Sequence, residues 1–313
     1  MSRKALAPSV TTRDPKGLKF ISVVEAAYNN AALSEDEAQR VNETPGLADL
    51  IGNFIAEHRV RNEFSDEEVP SKYGYLSGYS KPAGLTEQCN QLRAVFPGVG
   101  YANHDLLQQI EKGEVELPVG AEGWFAIPNW MKNPGTFGST YSQAVQTVLN
   151  AIKKARDGRF YNYREGQIDE KHLRQSARSK KFWKELAEVQ GNPDILVVPA
   201  QFGIRHRGRS VRRARVVIEC TTGEFGLGAF VVGVMILTNP VRLQRYDDPW
   251  IDCAGDEFSS EADGQFDNAP YFNFNDDKVK FDTNWIDNAN ENYGSASGFL
   301  PKSLLVKERR LRK

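Results

Sequence analysis

The feature that most limits how this chain can fold is one short segment, residues 195–239, which contains its clearest strand pattern and its longest apolar run. Residues 195–200 are apolar without alternation and follow a Gly-Asn-Pro-Asp turn, which is typical of a strand buried on both faces. Residues 225–237 are apolar on every side but number only 13, against the roughly 20 that a membrane-spanning helix needs. The segment therefore predicts a buried strand, a buried apolar helix at 225–237 and no membrane span.

An arginine-rich segment, residues 205–215, lies between these two elements. Six of its eleven residues are arginine and none is acidic. Gly208 and Ser210 predict a turn followed by a helix N-cap. From Val211 onward the sequence fits either a helix or a direct continuation into the β-branched stretch 216–218, and both alternatives stay open at this point.

Composition places the chain among globular proteins. Its 313 residues are 40% hydrophobic, enough to bury a sizeable core in one domain or in two. The N-terminal residues lack the apolar stretch of a secretory signal. Three widely spaced cysteines, Cys89, Cys220 and Cys253, fit reduced thiols better than a disulfide framework. We therefore expect a cytoplasmic protein that does not bind membranes.

Charge is distributed unevenly along the chain. The basic block at 153–215 contains 17 Lys/Arg and 7 Asp/Glu, a net of +10. The acidic block at 246–300 contains 2 Lys/Arg and 13 Asp/Glu, a net of −11. Because these values nearly cancel, the two blocks could neutralise each other across an internal interface. The formal net charge of −1 gives the whole chain no field that would draw it to nucleic acid or to a membrane.

Local patterns predict the main helices and strands. Capping boxes formed by Ser34 with Glu37 and by Thr140 with Gln143 mark two helix starts. The other predicted elements are an amphipathic helix with its apolar face at 47–55, a strand at 124–127, a helix from 169 to about 191, a short strand at 250–253, a β-hairpin at 270–282 with its turn at 275–277, and a loop at 293–301.

These elements together predict the α+β class, with a mostly helical N-terminal half packed on a small mixed β-sheet from the C-terminal half. The apolar helix at 225–237 is expected to lie in the core. The predicted organisation is a flexible arm at 1–18, a helical region at 19–120, an α/β region at 121–303 that contains both charged blocks, and a basic tail at 304–313.

The first candidate site is a basic surface for a polyanion. Guanidinium and ammonium groups bind the phosphates of RNA or DNA, and Tyr161 and Tyr163 lie near enough in sequence to stack on bases. The alternative is that these cations neutralise the acidic block within the fold, and no named nucleic-acid motif decides between the two. The residues assigned to phosphate binding are Arg205, Arg207, Arg209, Arg212, Arg213, Arg215, Lys180 and Lys181.

The second candidate site is a cluster of carboxylates and a thiol. Its candidate catalytic residues are Cys253, His206 and Glu257, and its candidate metal ligands are Asp252 and Asp256. Such groups can bind a divalent metal or support a Cys/His nucleophile mechanism. Their spacing matches no established ligand pattern, so the alternative is ordinary carboxylates beside a buried thiol. No cofactor is predicted.

Several long segments resemble a large group of uncharacterised proteins from genomes of candidate-phyla bacteria. They are EGWFAIPNW, FYNYREGQ, ILVVPAQFGIRHRGRSVRRAR, GEFGLGAFVVGVMILTNP, WIDCAGDEF and NYGSASGFLP. The resemblance extends from about residue 70 over nearly the whole remaining chain. It implies an intracellular bacterial protein, but no activity, fold or ligand.

Three hypotheses of function follow from the sequence. The first is a protein that binds a polyanion, nucleic acid above all, through the arginine-rich segment. The second is a metal- or thiol-dependent enzyme centred on Asp252, Cys253, Asp256 and Glu257. The third is a structural or protein-interaction module without chemistry of its own. The sequence predicts no oligomeric state.

Overall fold

The computed structural model describes residues 12–44, 46–59 and 62–301. The chain divides into two compact units, residues 1–51 and residues 52–313. The boundary predicted near residue 120 lies inside the second unit. Residues 1–11 of the predicted arm and the predicted tail at 304–313 lie outside the described residues. Helices and strands occur together, which confirms the α+β class.

The helices begin earlier in the chain than the sequence predicted. α1 starts at Pro15, whose fixed φ suits a first helical turn, so part of the predicted flexible arm is helical. Both predicted capping boxes are present, at the starts of α2 and α7. The helices of the described residues are α1 (Pro15–Asn30), α2 (Glu35–Asn42), α3 (Leu47–Arg59), α4 (Leu85–Val95), α5 (His104–Glu111), α6 (Pro134–Phe137), α7 (Tyr141–Ala155), α8 (Ala177–Val189), α9 (Val211–Cys220) and α10 (Ala229–Thr238).

The strands form two sheets instead of the single small sheet that was predicted. The first sheet has the order β1-β4-β11-β5, with antiparallel pairing throughout the described strands. The strands are β1 (Gly123–Pro128), β2 (Phe160–Asn162), β3 (Leu173–Gln175), β4 (Ile195–Gln201), β5 (Glu224–Gly226), β6 (Trp250–Asp252), β7 (Asp256–Phe258), β8 (Asn268–Asn275), β9 (Lys278–Trp285), β10 (Tyr293–Ser295) and β11 (Ser297–Phe299). β4 is buried at every position, as its unbroken apolar pattern predicts.

The second sheet is mixed. Its main path is β10-β6-β8-β7-β3, and β9 joins β8 to β2. β10 runs parallel to β6, and β2 runs parallel to β9. The predicted hairpin is present as β8 and β9, with Asp276 and Asp277 at its tip, both at positive φ (50° and 56°). Two successive residues of this conformation form the type of turn that suits the twist of a two-stranded ribbon.

The predicted loop at 293–301 is instead the place where the chain passes from one sheet to the other. β10 pairs in the second sheet and β11 in the first, with Ala296 between them. The backbones of Gly203 and Gly294 approach so closely here that a Cβ on Gly294 would lie 2.4 Å from the Gly203 carbonyl oxygen. Pattern analysis missed these strands because each is only three residues long and rich in small residues.

Helix α10 lies in the core, as its apolar composition predicts, but it is shorter than predicted. It begins at Ala229, and residues 224–226 form β5 and pair with β11. Gly226 lies against the backbone of Ala254 and Gly255, a close approach that only glycine permits. The partner strand, which is distant in sequence, therefore determines the start of this helix.

Two other helices differ from their predictions. The helix expected from residue 169 begins at Ala177, because residues 173–175 pair with β7 as β3. In α3 the apolar residues expected to face a core are 39% to 52% exposed, namely Leu50, Ile51, Phe54 and Ile55. A search of the described helices found none with the length and apolar character required to cross a bilayer.

Candidate functional site

The arginine-rich segment continues as a helix and not as a strand. Ser210 is the N-cap of α9, and its Oγ accepts a hydrogen bond from the Arg213 backbone N–H at 3.1 Å. The stretch 216–218 lies in the middle of this helix, where Val217 and Ile218 are buried. The structure thus decides the alternative that the sequence left open.

Two adjacent glutamates, Glu67 and Glu68, form ion pairs with three of the arginines. Glu68 Oε1 accepts from Arg213 Nε at 2.5 Å and from Arg209 Nε at 3.3 Å. Arg212 Nε donates to both carboxylate oxygens of Glu67 at 2.9 Å. Burial raises the pKa of Glu68, but the two arginines outweigh burial and hold it below its usual range. These guanidinium groups serve the fold.

The remaining arginines of the segment also bind groups of the protein. Arg205 Nε lies 3.2 Å from the buried Glu224, and Arg207 donates to the Tyr73 carbonyl at 2.9 Å. Arg215 donates to the backbone carbonyl of Ala254 at 3.0 Å. All six arginines of 205–215 are therefore engaged within the chain, so the contacts give no support to RNA or DNA as a partner.

The basic and acidic blocks do meet, although the arginine-rich segment contributes little to this. Arg164 pairs with Asp282 at 2.8 Å and Arg174 pairs with Glu257 at 2.6 Å. From the arginine-rich segment, Arg212 comes within 3.8 Å of Asp287. Arg215 also donates to backbone carbonyls of that block, at Ala254 and Asp256, whereas the carboxylate partners Glu67, Glu68 and Glu224 lie outside it. Of the two assigned lysines, which lie on α8, Lys181 reaches Glu185 at 3.9 Å.

His206 is buried in a hydrogen-bonded network. Its Nδ1 lies 3.1 Å from Arg209 Nη1, which can only donate, so Nδ1 is the acceptor and Nε2 carries the proton. Nε2 then donates to Glu224 Oε1 at 2.8 Å. Burial raises the pKa of Glu224, but His206, Arg205 and Ser297 outweigh burial and lower it to about 2. Both ring nitrogens are therefore occupied.

Of the predicted thiol and carboxylate cluster, Cys253 packs into the hydrophobic core. Cys253 is fully buried, and burial together with the nearby Asp256 and Asp252 carboxyl groups raises the pKa of its thiol well above the usual range. A thiol held in its neutral form is a poor nucleophile and a poor metal ligand. Glu257 pairs with Arg174. No group of three metal-binding side chains occurs in the part of the chain that the structure describes.

Asp256 has a structural role. Its carboxylate accepts from the Ala229 backbone N–H at 2.7 Å and from Tyr141 OH at 2.8 and 2.9 Å. Burial raises the pKa of Asp256 to about 7, against the lowering effect of these donors. The residue lies at the N-terminus of α10, where the helix dipole favours a carboxylate. Asp252, in contrast, has no such contact with any residue that the structure describes.

Asp252 belongs to a sheet face that we call the Asp252 face. Tyr293 and Ser295 of β10 are paired with Trp250 and Asp252 of β6, respectively. Asp252 is also paired with Tyr271 of β8. Residues paired in register point to the same side of a sheet. The other side contains Ile251 and Phe272 and faces the core. These five side chains therefore lie together, opposite the core.

Three aromatic rings of the Asp252 face stack on one another. Trp250 lies between Tyr271 and Tyr293, at 4.6 Å from each ring centroid and nearly parallel to both. The two tyrosines are more than nine-tenths buried, and burial raises the pKa of each hydroxyl. At one end of the face, Val211 and Ile218 of α9 pack against small residues of the sheet. The stack and the α9 contact therefore both lie on the side of the second sheet that carries Asp252.

The polar groups beside this stack lack hydrogen-bond partners. Asp252 is 3% exposed, and none of the described residues donates a hydrogen bond to its carboxyl group. Burial raises the pKa of Asp252 to about 7. The hydroxyl of Ser295 and the amide oxygen of Asn273 are likewise buried with no partner in the described chain. An unpaired buried polar group costs about 1 to 3 kcal/mol, so these polar groups require hydrogen-bond partners from outside the described chain.

Tyrosines and paired charges surround this centre. Asp282 of β9 is paired with Tyr271 of β8, and Lys280 of β9 is paired with Tyr161 of β2. Tyr161 and Tyr163 are both 51% exposed, and their rings contact each other edge to face. The neighbouring carboxylates already have cations, because Asp282 binds Arg164 and Asp276 binds Lys280. Asp252 is the exception.

Sequence analysis named Asp252 but missed the residues around it. Trp250, Tyr271, Tyr293 and Ser295 come from three strands that are up to about 45 positions apart. The signal that could have indicated them is the alternation of an aromatic and a polar residue at 250–252 and at 271–273. Alternation predicts which residues share a face of one strand, but it does not predict which strands are neighbours.

We compared the chain with protein-family models, with curated protein sequences and with solved structures, and none of the three comparisons gives a match.

Proposed function

We propose that the protein binds a neutral polyhydroxylated ligand, of the carbohydrate class, at the Asp252 face. The observation that carries this proposal is the Asp252 carboxyl group, which is buried beside a three-ring aromatic stack with no hydrogen-bond donor among the described residues. A site of this kind offers one precisely placed polar group among apolar walls, as small-molecule sites commonly do.

Hydroxyl groups suit the polar atoms of this face. Asp252 and Asn273 offer acceptors, and Ser295 offers a hydroxyl that both donates and accepts. A ligand hydroxyl also donates and accepts, so one class of group can satisfy all three residues. With a pKa of about 7, Asp252 occurs in both protonation states near neutral pH and can bind a hydroxyl in either role.

The aromatic residues support a ligand with C–H faces. Tyr161 and Tyr163 are half exposed beside the stack, and the face of an aromatic ring carries partial negative charge that attracts polarised C–H groups. Sugars combine such C–H faces with hydroxyl edges. The combination of tyrosines, amides and a carboxyl group on one sheet surface therefore matches both parts of a saccharide.

Local charge argues against an anionic ligand. The carboxylates near the site already have cations, as in the pairs of Asp282 with Arg164 and of Glu257 with Arg174. The two arginines of these pairs are already bound to carboxylates and cannot neutralise a phosphate. The ionised form of Asp252 would also repel a phosphate. A neutral ligand avoids both penalties.

A screen of immobilised neutral oligosaccharides, followed by titration calorimetry on those retained, tests this proposal. Asp252→Asn and Tyr271→Ala are expected to weaken binding by about tenfold or more, which corresponds to about 1.4 kcal/mol. The matched controls are Asp247→Asn and Tyr246→Ala, at exposed positions of the same acidic block. Unchanged affinity in Asp252→Asn, or retention of phosphate polymers in place of saccharides, would refute the proposal.

A further inference from the structure

A second group of buried polar atoms lies apart from the Asp252 face. It consists of Tyr75, Tyr79, Glu122 and Arg242, which surround Phe202 at the end of β4, and we call it the Glu122 cluster. Arg242 has no exposed surface and Tyr79 is 7% exposed. None of these residues contributes to the Asp252 face, so the cluster needs an explanation of its own.

One side of the cluster is fully bonded. Glu122 Oε1 accepts a hydrogen bond from Tyr75 OH and another from the Phe202 backbone N–H at 3.1 Å. Arg242 Nη2 donates to the Pro249 carbonyl at 3.0 Å, and its guanidinium carbon lies 4.1 Å from the centre of the Tyr75 ring. Tyr75 thus lies against both charged groups and fixes their positions.

The other side of the cluster is not bonded within the described chain. Arg242 Nε and Arg242 Nη1 are buried and have no hydrogen-bond partner there. Tyr79 OH lies close enough to the Glu122 carboxylate to affect the pKa of both groups, but Tyr79 OH and Glu122 Oε2 do not form a hydrogen bond of good geometry. No direct ion pair between Glu122 and Arg242 occurs among the described side chains, although each affects the pKa of Tyr79. Leaving the buried N–H groups of a guanidinium unsatisfied would consume a large part of the stability of a folded protein.

The charges of the cluster determine which molecule fits it. Arg242 requires an acceptor, whereas an ionised Glu122 requires a donor, so the occupant must both accept and donate. A small anion would be repelled by Glu122, and a metal cation would be repelled by Arg242. Because both charged side chains are buried, the occupant must also be small. Water meets all three conditions, and buried water commonly makes about three hydrogen bonds to such groups.

We propose that the Glu122 cluster is an internal hydration site in which ordered water bridges Glu122 Oε2 and Tyr79 OH to Arg242 Nε and Nη1. The water completes an indirect ion pair between Glu122 and Arg242. This pair joins the residue that directly precedes β1 to the turn that contains Arg242, across the end of β4.

A high-resolution crystal structure of the full-length protein tests the occupant directly. The expected result is compact density within hydrogen-bonding distance of Glu122 Oε2 and of Arg242 Nε or Nη1. A direct contact between Glu122 and Arg242, a dry cluster, or elongated density from an organic molecule would each overturn the proposal. This experiment depends on no variant and on no result at the Asp252 face.

A double-mutant cycle with Glu122→Gln and Arg242→Met tests the bridge in solution. Each single change is expected to lower the ratio of folded to unfolded protein by about tenfold or more. The free energy of unfolding that the double variant loses is expected to be smaller than the sum of the two single losses. Glu116→Gln, at an exposed position, is the matched control. Additive losses would show that the two groups are not coupled and would contradict a water-bridged pair.

Discussion

The carboxylate of Asp256 accepts a hydrogen bond from the backbone N–H of Ala229 at 2.7 Å, and it thereby caps a helix that has glycine at its own N-cap. Gly228 provides no side chain for this purpose, and the hydroxyl of Tyr141 completes the arrangement by donating to the same carboxylate. The start of the core helix α10 is therefore stabilised by a residue that lies 27 positions further along the chain.

Gly228→Ala is expected to destabilise the protein by about 3 kcal/mol. A Cβ at this position would lie 2.1 Å from Asp256 Oδ1 and 2.3 Å from Tyr141 OH, so the cap would have to move. Urea unfolding measures the loss. Gly135→Ala is the matched control, because no atom lies within 4 Å of a Cβ there. Equal stability of the two variants would contradict the tertiary cap.

Asp252→Asn is expected to stabilise the protein at neutral and alkaline pH and to have little effect at acidic pH. Burial raises the pKa of Asp252 from an ordinary 3.8 to about 7, so the folded protein holds this proton more tightly than the unfolded chain. Asp252 therefore costs stability increasingly as the pH rises from about 4 to about 7, and by a constant amount above that range. The full cost is on the order of 4 kcal/mol, at about 1.4 kcal/mol per pKa unit.

The measurement is the free energy of unfolding in urea at about pH 4 and about pH 8 for wild type and variant. Asp256 has a similarly raised pKa and affects the same pH range, so the comparison of the two proteins is needed to isolate Asp252. Asp247→Asn, at an exposed carboxylate, is expected to show no such pH-dependent gain. A gain of equal size at both pH values would show that Asp252 is not the titrating group.

Glu68→Gln is expected to destabilise the protein by about 3 kcal/mol. Arg209 and Arg213 would lose the carboxylate that they share, and their side chains are only 10% and 6% exposed. Because the pKa of Glu68 is lowered in the folded state, its contribution is present at neutral pH and is lost as the pH falls through that lowered value. Thermal or urea unfolding beside Glu116→Gln checks the prediction, and matching midpoints would contradict it.

Thiol labelling under native conditions is expected to modify Cys220 rapidly and Cys89 and Cys253 slowly. Cys220 is exposed, whereas the other two cysteines are buried and burial raises the pKa of both thiols. Ellman's reagent should therefore titrate one of the three thiols quickly in the folded protein and all three in denaturant. Fast labelling of a Cys220→Ser variant would contradict the burial of Cys253 and would restore the hypothesis of a thiol-dependent enzyme.

Much of the local structure could be predicted because neighbouring residues determine it. The capping boxes at Ser34 and Thr140, the buried strand at 195–201 and the hairpin turn at 276–277 all depend on interactions within a few positions. The periods of helix and strand are visible in such stretches. The arginine-rich segment was ambiguous because Ser210 indicates a helix start whereas the β-branched residues after it favour a strand.

The candidate site could be predicted only in part. Asp252 was predicted from its acidic neighbourhood, but it was grouped with Cys253 and Asp256. Cys253 packs in the hydrophobic core, and Asp256 binds the start of the core helix α10. Adjacent residues of a strand point to opposite faces, so a cluster in sequence becomes separated in a sheet. The residues that do accompany Asp252, such as Tyr271 and Ser295, come from other strands.

The amino-acid sequence by itself determined the α+β class, the buried apolar strand and helix, and the reduced state expected of the cysteines, since these follow from composition and from short-range periodicity. Only the tertiary structure decided that the arginines bind the protein's own glutamates and carbonyls. It also decided that Asp252 lies beside three stacked rings with no donor among the described residues. Both outcomes depend on strand register and on contacts between distant segments, which cost loop-closure entropy and leave no periodic signal in the chain.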